Sequence, residues 1–136
     1  MLFRSVGTDT VTSAYQMFYG CSSLQSVTLD TGAVTNASYM FYSCPSLQSV
    51  TLDAGAVTNT SSMFYSCSSL QSVILTGLTR GVSVANASLS STALDALYTS
   101  LGTAAGSQTI TVGGNYGTTG DDPSIATSKG WTVSGS

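Results

Sequence analysis

The pair Met-Phe stands at Met17-Phe18, Met40-Phe41 and Met63-Phe64, 23 residues apart each time, and a whole block of sequence moves with it. Cys21, Cys44 and Cys67 share the spacing. So do Leu24, Leu47 and Leu70, then Val27, Val50 and Val73, then Leu29, Leu52 and Leu75. A fixed period of about 20 to 50 residues marks stacked units, each too small to bury a core alone. The chain is therefore expected to be a solenoid of α/β class whose chemistry, if any, lies along repeated faces.

With 136 residues the chain is one domain, long enough for a continuous core once its units stack. Its cations are Arg4, Arg80 and Lys129, against six aspartates, with no Glu and no His. Three scattered cations do not neutralise a phosphate track, which argues against a nucleic-acid partner. No apolar run approaches the roughly 20 residues of a membrane span, so membrane insertion is not expected. Ser and Thr make up about a third of the chain, above the globular norm. A surface wetted by hydroxyls rather than charges leans toward an extracellular or virion setting. Nucleophile–base pairs need a base, and the Asp and Lys residues pair with nothing in sequence, so catalysis is not expected.

One unit reads as a rung. In Leu47-Gln48-Ser49-Val50-Thr51-Leu52, Val50 and Leu52 share one face of a short strand and Ser49 and Thr51 the other. Asp53 to Gly55 reads as a turn and Val57 as the start of a return across the core. Asn59-Thr60-Ser61-Ser62 offers capping side chains ahead of Met63-Phe64-Tyr65-Ser66-Cys67. There, Met63, Phe64 and Cys67 fit the inner face of a single helical turn.

The run Met-Phe-x-x-Cys-x-x-Leu-x-x-Val-x-Leu, at Met17–Leu29, Met40–Leu52 and Met63–Leu75, resembles the BspA-type leucine-rich repeat of bacterial, protist and phage surface proteins. The resemblance covers roughly residues 11 to 75. It implies a leucine-rich-repeat solenoid with a parallel β-sheet of ~23-residue rungs, and loosely implies surface adhesion or recognition, since one scaffold carries many functions.

Residues 1–76 are expected to form the repeat region, a partial first rung and then three repeats. Counting back 23 from Leu24, Val27 and Leu29 reaches Met1, Arg4 and Val6, the candidate assembly edge, with Arg4 inward as edge protection. Residues 77–136 are expected to be a C-terminal α/β capping segment of the same domain. Ser90 or Ser91 caps a helix carrying Leu94, Leu97, Tyr98 and Leu101 and ending at Gly102. Thr109–Val112 and Trp131–Val133 read as strands, and Asp122-Pro123 opens a short helix that Gly130 stops. This closing segment resembles those of phage tail and virion repeat proteins.

Several columns are candidate sites. Tyr19, Tyr42 and Tyr65 follow the inward Met-Phe pair and should project outward as an aromatic ladder, suited to sugar faces or another protein. Gln25, Gln48 and Gln71 are expected as an amide column on the exposed sheet face, also a candidate ligand face. Asn36, Asn59 and Asn86 stand in N-glycosylation sequons, though Asn36 and Asn59 also suit capping. The cysteine column has no His to support a metal site and reads as buried small hydrophobes. Asp30 and Asp53 offer too few oxygens for Ca²⁺ and read as turn caps, so no metal or cofactor is expected. The leading expectation is a non-enzymatic recognition or adhesion module of a phage tail or virion fibre, binding host-surface glycan or protein. The alternative is a structural subunit polymerising head to tail with other copies of itself into an extracellular filament, the Met1–Val6 edge docking on the closing strands.

Overall fold

The structure, a computed structural model, describes residues 2–4 and 11–136. Strands β1 (Leu2–Arg4), β2 (Ser26–Leu29), β3 (Ser49–Asp53) and β4 (Ser72–Thr76) form a parallel sheet in chain order. Register follows the sequence period: Val27 lies beside Val50 and Val50 beside Val73, and Leu29, Leu52 and Leu75 line up likewise. These Val and Leu side chains are buried, whereas Thr28 between them is exposed. Alternation along a strand thus places one face of every rung in a common core.

The first strand corrects one expectation. Phe3 pairs with Val27 and Arg4 with Thr28, so Arg4 occupies the register position of an outward residue. A shift of one residue exchanges the two faces of a strand, and in this register Phe3, not Arg4, stands at the position of Val27. Met1 and Val6, the other residues of the proposed edge, lie outside the described residues.

Each Met-Phe segment also departs from expectation: it is a pleated turn rather than a helical one. Alternate amides donate to the following rung, with Gln16, Phe18 and Gly20 bonding the carbonyls of Ser38, Met40 and Tyr42 at 3.2, 2.9 and 2.8 Å. Tyr39, Phe41 and Ser43 repeat this toward Ser61, Met63 and Tyr65 at 2.9, 3.0 and 2.7 Å. The intervening amides close local turns, as Met17 does on Ala14 and Tyr19 on Gln16. Such alternation needs left-handed residues: Gln16, Tyr39 and Ser62 have φ of 57°, 57° and 51°, and Gly20, Ser43 and Ser66 have 68°, 58° and 60°. An α-helical turn would spend the same amides within the rung. The solenoid ladder wins because it repeats from rung to rung, offsetting the roughly 1 kcal/mol that a left-handed non-glycine costs.

Isolated parallel bridges join Ser13 to Asn36 and Asn36 to Asn59 on the return side. A second parallel sheet, β5 (Val82–Ser83), β6 (Gln108–Thr111) and β7 (Trp131–Ser134), is built by the later residues. Between β5 and β6, helix α1 (Ser91–Ser100) packs along β4 and buries Leu94, Leu97 and Tyr98. Its Ser100 side chain accepts the Leu75 amide at 3.1 Å, and the Ser100 carbonyl accepts that of Gly77 at 2.9 Å.

Ser90 caps α1, its hydroxyl accepting from the Ala93 amide at 3.1 Å. The other end is capped from a distance. Lys129, just beyond the short helix α2 (Ser124–Thr127), donates its ammonium to the carbonyls of Tyr98, Thr99 and Leu101 at 3.0, 2.7 and 2.8 Å. A cation there meets the negative end of the helix as well as its orphan carbonyls. Lys129→Met should cost about 2 kcal/mol in urea unfolding, because charge-assisted bonds outweigh neutral ones. Lys129→Arg should recover only part of it, since a planar fork does not converge on three carbonyls. A methionine variant as stable as the parent would remove this cap from the account.

Candidate functional site

The tyrosines stack because the backbone makes them. Tyr19 and Tyr42 have ring centroids 4.9 Å apart and planes 5° from parallel, and Tyr42 and Tyr65 are 4.9 Å apart at 15°. That distance is the spacing of adjacent strands, about 4.8 Å, so the rungs set the pitch of the rings. Tyr19 and Tyr65 are exposed and Tyr42 half-buried. Burial among its neighbours, and then the phenols of Tyr19, Tyr65 and Tyr39, push the Tyr42 hydroxyl above the usual tyrosine range. Two further tyrosines join from outside the column. Tyr39 tilts against Tyr42 at 5.5 Å, and Tyr15 meets Tyr39 edge-on at 6.0 Å.

Beyond Tyr65 the ladder stops. One period after Met63-Phe64-Tyr65 the sequence supplies Asn86-Ala87-Ser88, small side chains where large ones stood. A cleft of about 550 Å³ opens there, with Tyr65, Phe64, Ser62 and Ser66 on one wall and Ser83, Ala85 and Asn86 on the other. Its far wall is held away by Asn115. This buried side chain donates to the carbonyls of Val84 and Val112 at 2.9 and 2.8 Å and accepts the Leu89 amide at 2.9 Å. The ladder would bring the Val84 carbonyl to the Ser62 amide, but Asn115 takes it. One wall of aromatic ring and an opposite wall of hydroxyl and amide is the composition of a recognition cleft, apolar with a few placed polar groups.

Comparison with family models gives a match to the BspA type leucine rich repeat region, six copies across residues 8–109. The chain belongs to the BspA-type leucine-rich repeat family. Domains of this family are typically surface adhesion and recognition modules, and its proteins are generally cell-surface or extracellular. The match to BspA-type repeats runs past residue 76 into the closing segment. Neither the curated proteins nor the solved structures gave a match.

Within the BspA-type rungs the remaining candidates resolve one by one. Gln25, Gln48 and Gln71 are all exposed where the chain enters the first sheet, and none lines the cleft. Asp30 and Asp53 each accept the amide two residues on, Gly32 at 3.3 Å and Gly55 at 3.2 Å, as turn caps do. No three metal-ligating groups gather among the described residues, nor is any helix there long and apolar enough to cross a membrane. Of the sequons, Asn59 and Asn86 are exposed. Asn36 is half-buried, with its side-chain oxygen taken by the Ser38 amide and hydroxyl at 3.0 and 2.6 Å. Asp122 accepts the Ser124 amide ahead of α2, at 3.1 Å, while Asp121 receives the buried Tyr98 hydroxyl at 2.6 Å, a partner nothing in the sequence announced.

The cysteines of the BspA-type motif are free thiols that tie rungs together. Cys44 donates to the Phe18 carbonyl at 3.1 Å and Cys67 to that of Phe41 at 3.0 Å. Burial raises both thiols, that of Cys67 to about 12 from an ordinary 9, and it also raises the Tyr98 hydroxyl. Each folded-state value lies above its unfolded one. The stabilisation is therefore whole below about pH 9 and is lost as pH climbs toward 12, because the unfolded chain sheds protons that the folded chain keeps. Thermal melts should show stability falling steadily above pH 9, and a Cys67→Ala variant should show a shallower fall. A parent melting point flat from pH 8 to about 11 would contradict this.

Proposed function

We propose that this chain is a non-enzymatic recognition module on the surface of a phage tail or virion fibre, a BspA-type solenoid that holds host-surface glycan or protein on its tyrosine ladder. The observation that carries the reading is the ladder itself: Tyr19, Tyr42 and Tyr65 stacked in the open and leading into a cleft. Exposed aromatic rows are costly in water, and rings held at fixed pitch lose little freedom on meeting a partner, which favours binding. Family membership supports the recognition role, and the hydroxyl-rich surface supports an extracellular setting. Asn59 and Asn86 are the sequons with room for a glycan on a secretory route. Asn86 borders the cleft, so a glycan there would screen it.

A head-to-tail filament, the Met1–Val6 edge docking on the closing strands of the next copy, is the second reading, since β1 and β7 each stand at the end of their sheet's strand order. Binding of labelled protein to intact host cells tests the recognition reading. The triple substitution Tyr19→Ser, Tyr42→Ser, Tyr65→Ser should reduce it at least tenfold with circular dichroism unchanged, equivalent to about 1.4 kcal/mol or more. Binding equal to the parent's would remove this face.

A further inference from the structure

The cleft beside Tyr65 holds more than an aromatic wall. In both preceding rungs every second amide of the Met-Phe-Tyr segment donates to a carbonyl of the next: Gln16, Phe18 and Gly20, then Tyr39, Phe41 and Ser43. The corresponding amides of the third rung are those of Ser62, Phe64 and Ser66, and none of them donates to any group among the described residues. All three residues line the cleft. Their left-handed geometry, φ 51° at Ser62 and 60° at Ser66, is the one that aims Tyr39, Phe41 and Ser43 at their acceptors. The wall is thus a row of donors at alternate residues, flanked by Tyr65, whose ring is covered by Tyr42 on one face only.

We propose that this cleft binds a peptide segment of a partner protein, by adding it to the ladder in the pleated-turn form of the preceding rungs. Its carbonyls at three alternate residues accept from Ser62, Phe64 and Ser66, and an aromatic side chain at the last of these stacks on Tyr65. The occupant is read from the fold, because Ser38, Met40 and Tyr42 present that pattern to the first rung, and Ser61, Met63 and Tyr65 to the second. Donors spaced at alternate residues suit a peptide backbone better than a sugar, whose acceptors do not recur at a peptide's repeat. Recognition by added backbone pairing draws affinity from main-chain bonds and specificity from side-chain pockets. The inference narrows the proposed recognition role to a peptide at this end of the ladder and rests on that role.

Nuclear magnetic resonance of the whole chain tests it without a variant. In the free protein the amides of Ser62, Phe64 and Ser66 should exchange with solvent at least about 100-fold faster than those of Tyr39, Phe41 and Ser43. The probe is a synthetic peptide carrying residues 37–43, Ala-Ser-Tyr-Met-Phe-Tyr-Ser, with a dilysine tail for solubility. Adding it should move the three amide resonances downfield and slow their exchange. Tyr65→Ser, or Ala85→Trp to fill the cleft, should weaken the peptide at least tenfold. Slow exchange of the three amides in the free chain would overturn the proposal. So would unmoved resonances at millimolar peptide, or shifts produced by oligosaccharide or phosphate but not by peptide. The same shifts on concentrating the protein alone would assign the cleft to a second copy and also overturn it. Loss of cell binding on Tyr19→Ser, Tyr42→Ser with no peptide response would sink this inference and leave the recognition role standing. A peptide response without cell binding would do the reverse.

Discussion

Phe41→Ala should destabilise the chain by about 4 kcal/mol, the middle of the range for a buried aromatic deletion. Phe41 is fully buried and lies between Phe18 and Phe64, with centroids 5.5 and 5.6 Å away and planes within 5° and 8° of parallel. Removing it leaves a void bounded above and below by rings that the backbone ladder holds apart, so the site cannot collapse. Phe18→Ala should cost less, because Phe18 is slightly exposed, at 6%, whereas Phe41 is fully buried. Urea unfolding of the two variants measures the difference. Equal and small losses, under about 1.5 kcal/mol, would mean that the phenylalanine column is not the axis of the core.

Asn115→Leu should cost about 3 to 4 kcal/mol although it keeps the branched shape of the side chain. The substitution strips the buried Leu89 amide and the carbonyls of Val84 and Val112 of their side-chain partner at once, and unpaired buried groups cost roughly 1 to 3 kcal/mol each. Asn115→Asp should be no better, since a carboxylate has no proton for either carbonyl. Thermal unfolding decides: a leucine variant at least as stable as the parent would show that these three bonds do not hold the closing segment in place.

The sequence carried the repeat columns because identical side chains at a fixed period leave few alternatives, and the Val and Leu columns lie in register as that period requires. The tyrosine column was legible for the same reason. Tyr15 and Tyr39 were not: they complete the aromatic cluster, yet their equivalents one period away include Ser38, Gln16 and Ser62, which give no signal. The left-handed positions hid in the same way, because Tyr39 is a residue that rarely accepts φ near 57° and only Gly20 hints at the turn. Arg4 was misplaced because the step from β1 to β2 is one residue longer than the period, which no local pattern marks. Lys129 and Asn115 act on carbonyls far along the chain, and such contacts leave no trace in spacing. The cleft was written in the sequence only as a failure of the period, Asn86-Ala87-Ser88 standing where Met-Phe-Tyr was due.

Tyrosine nitration of the chain bound to host cells, read residue by residue by mass spectrometry, tests the recognition face most directly. Tyr15, Tyr19 and Tyr65 are 52%, 48% and 59% exposed in the free chain, and Tyr116, outside the ladder, is 70% exposed and serves as the internal control. The account predicts that binding protects Tyr19 and Tyr65 while Tyr116 reacts as before. Protection of Tyr116 with the ladder still fully reactive would place the partner elsewhere and contradict it.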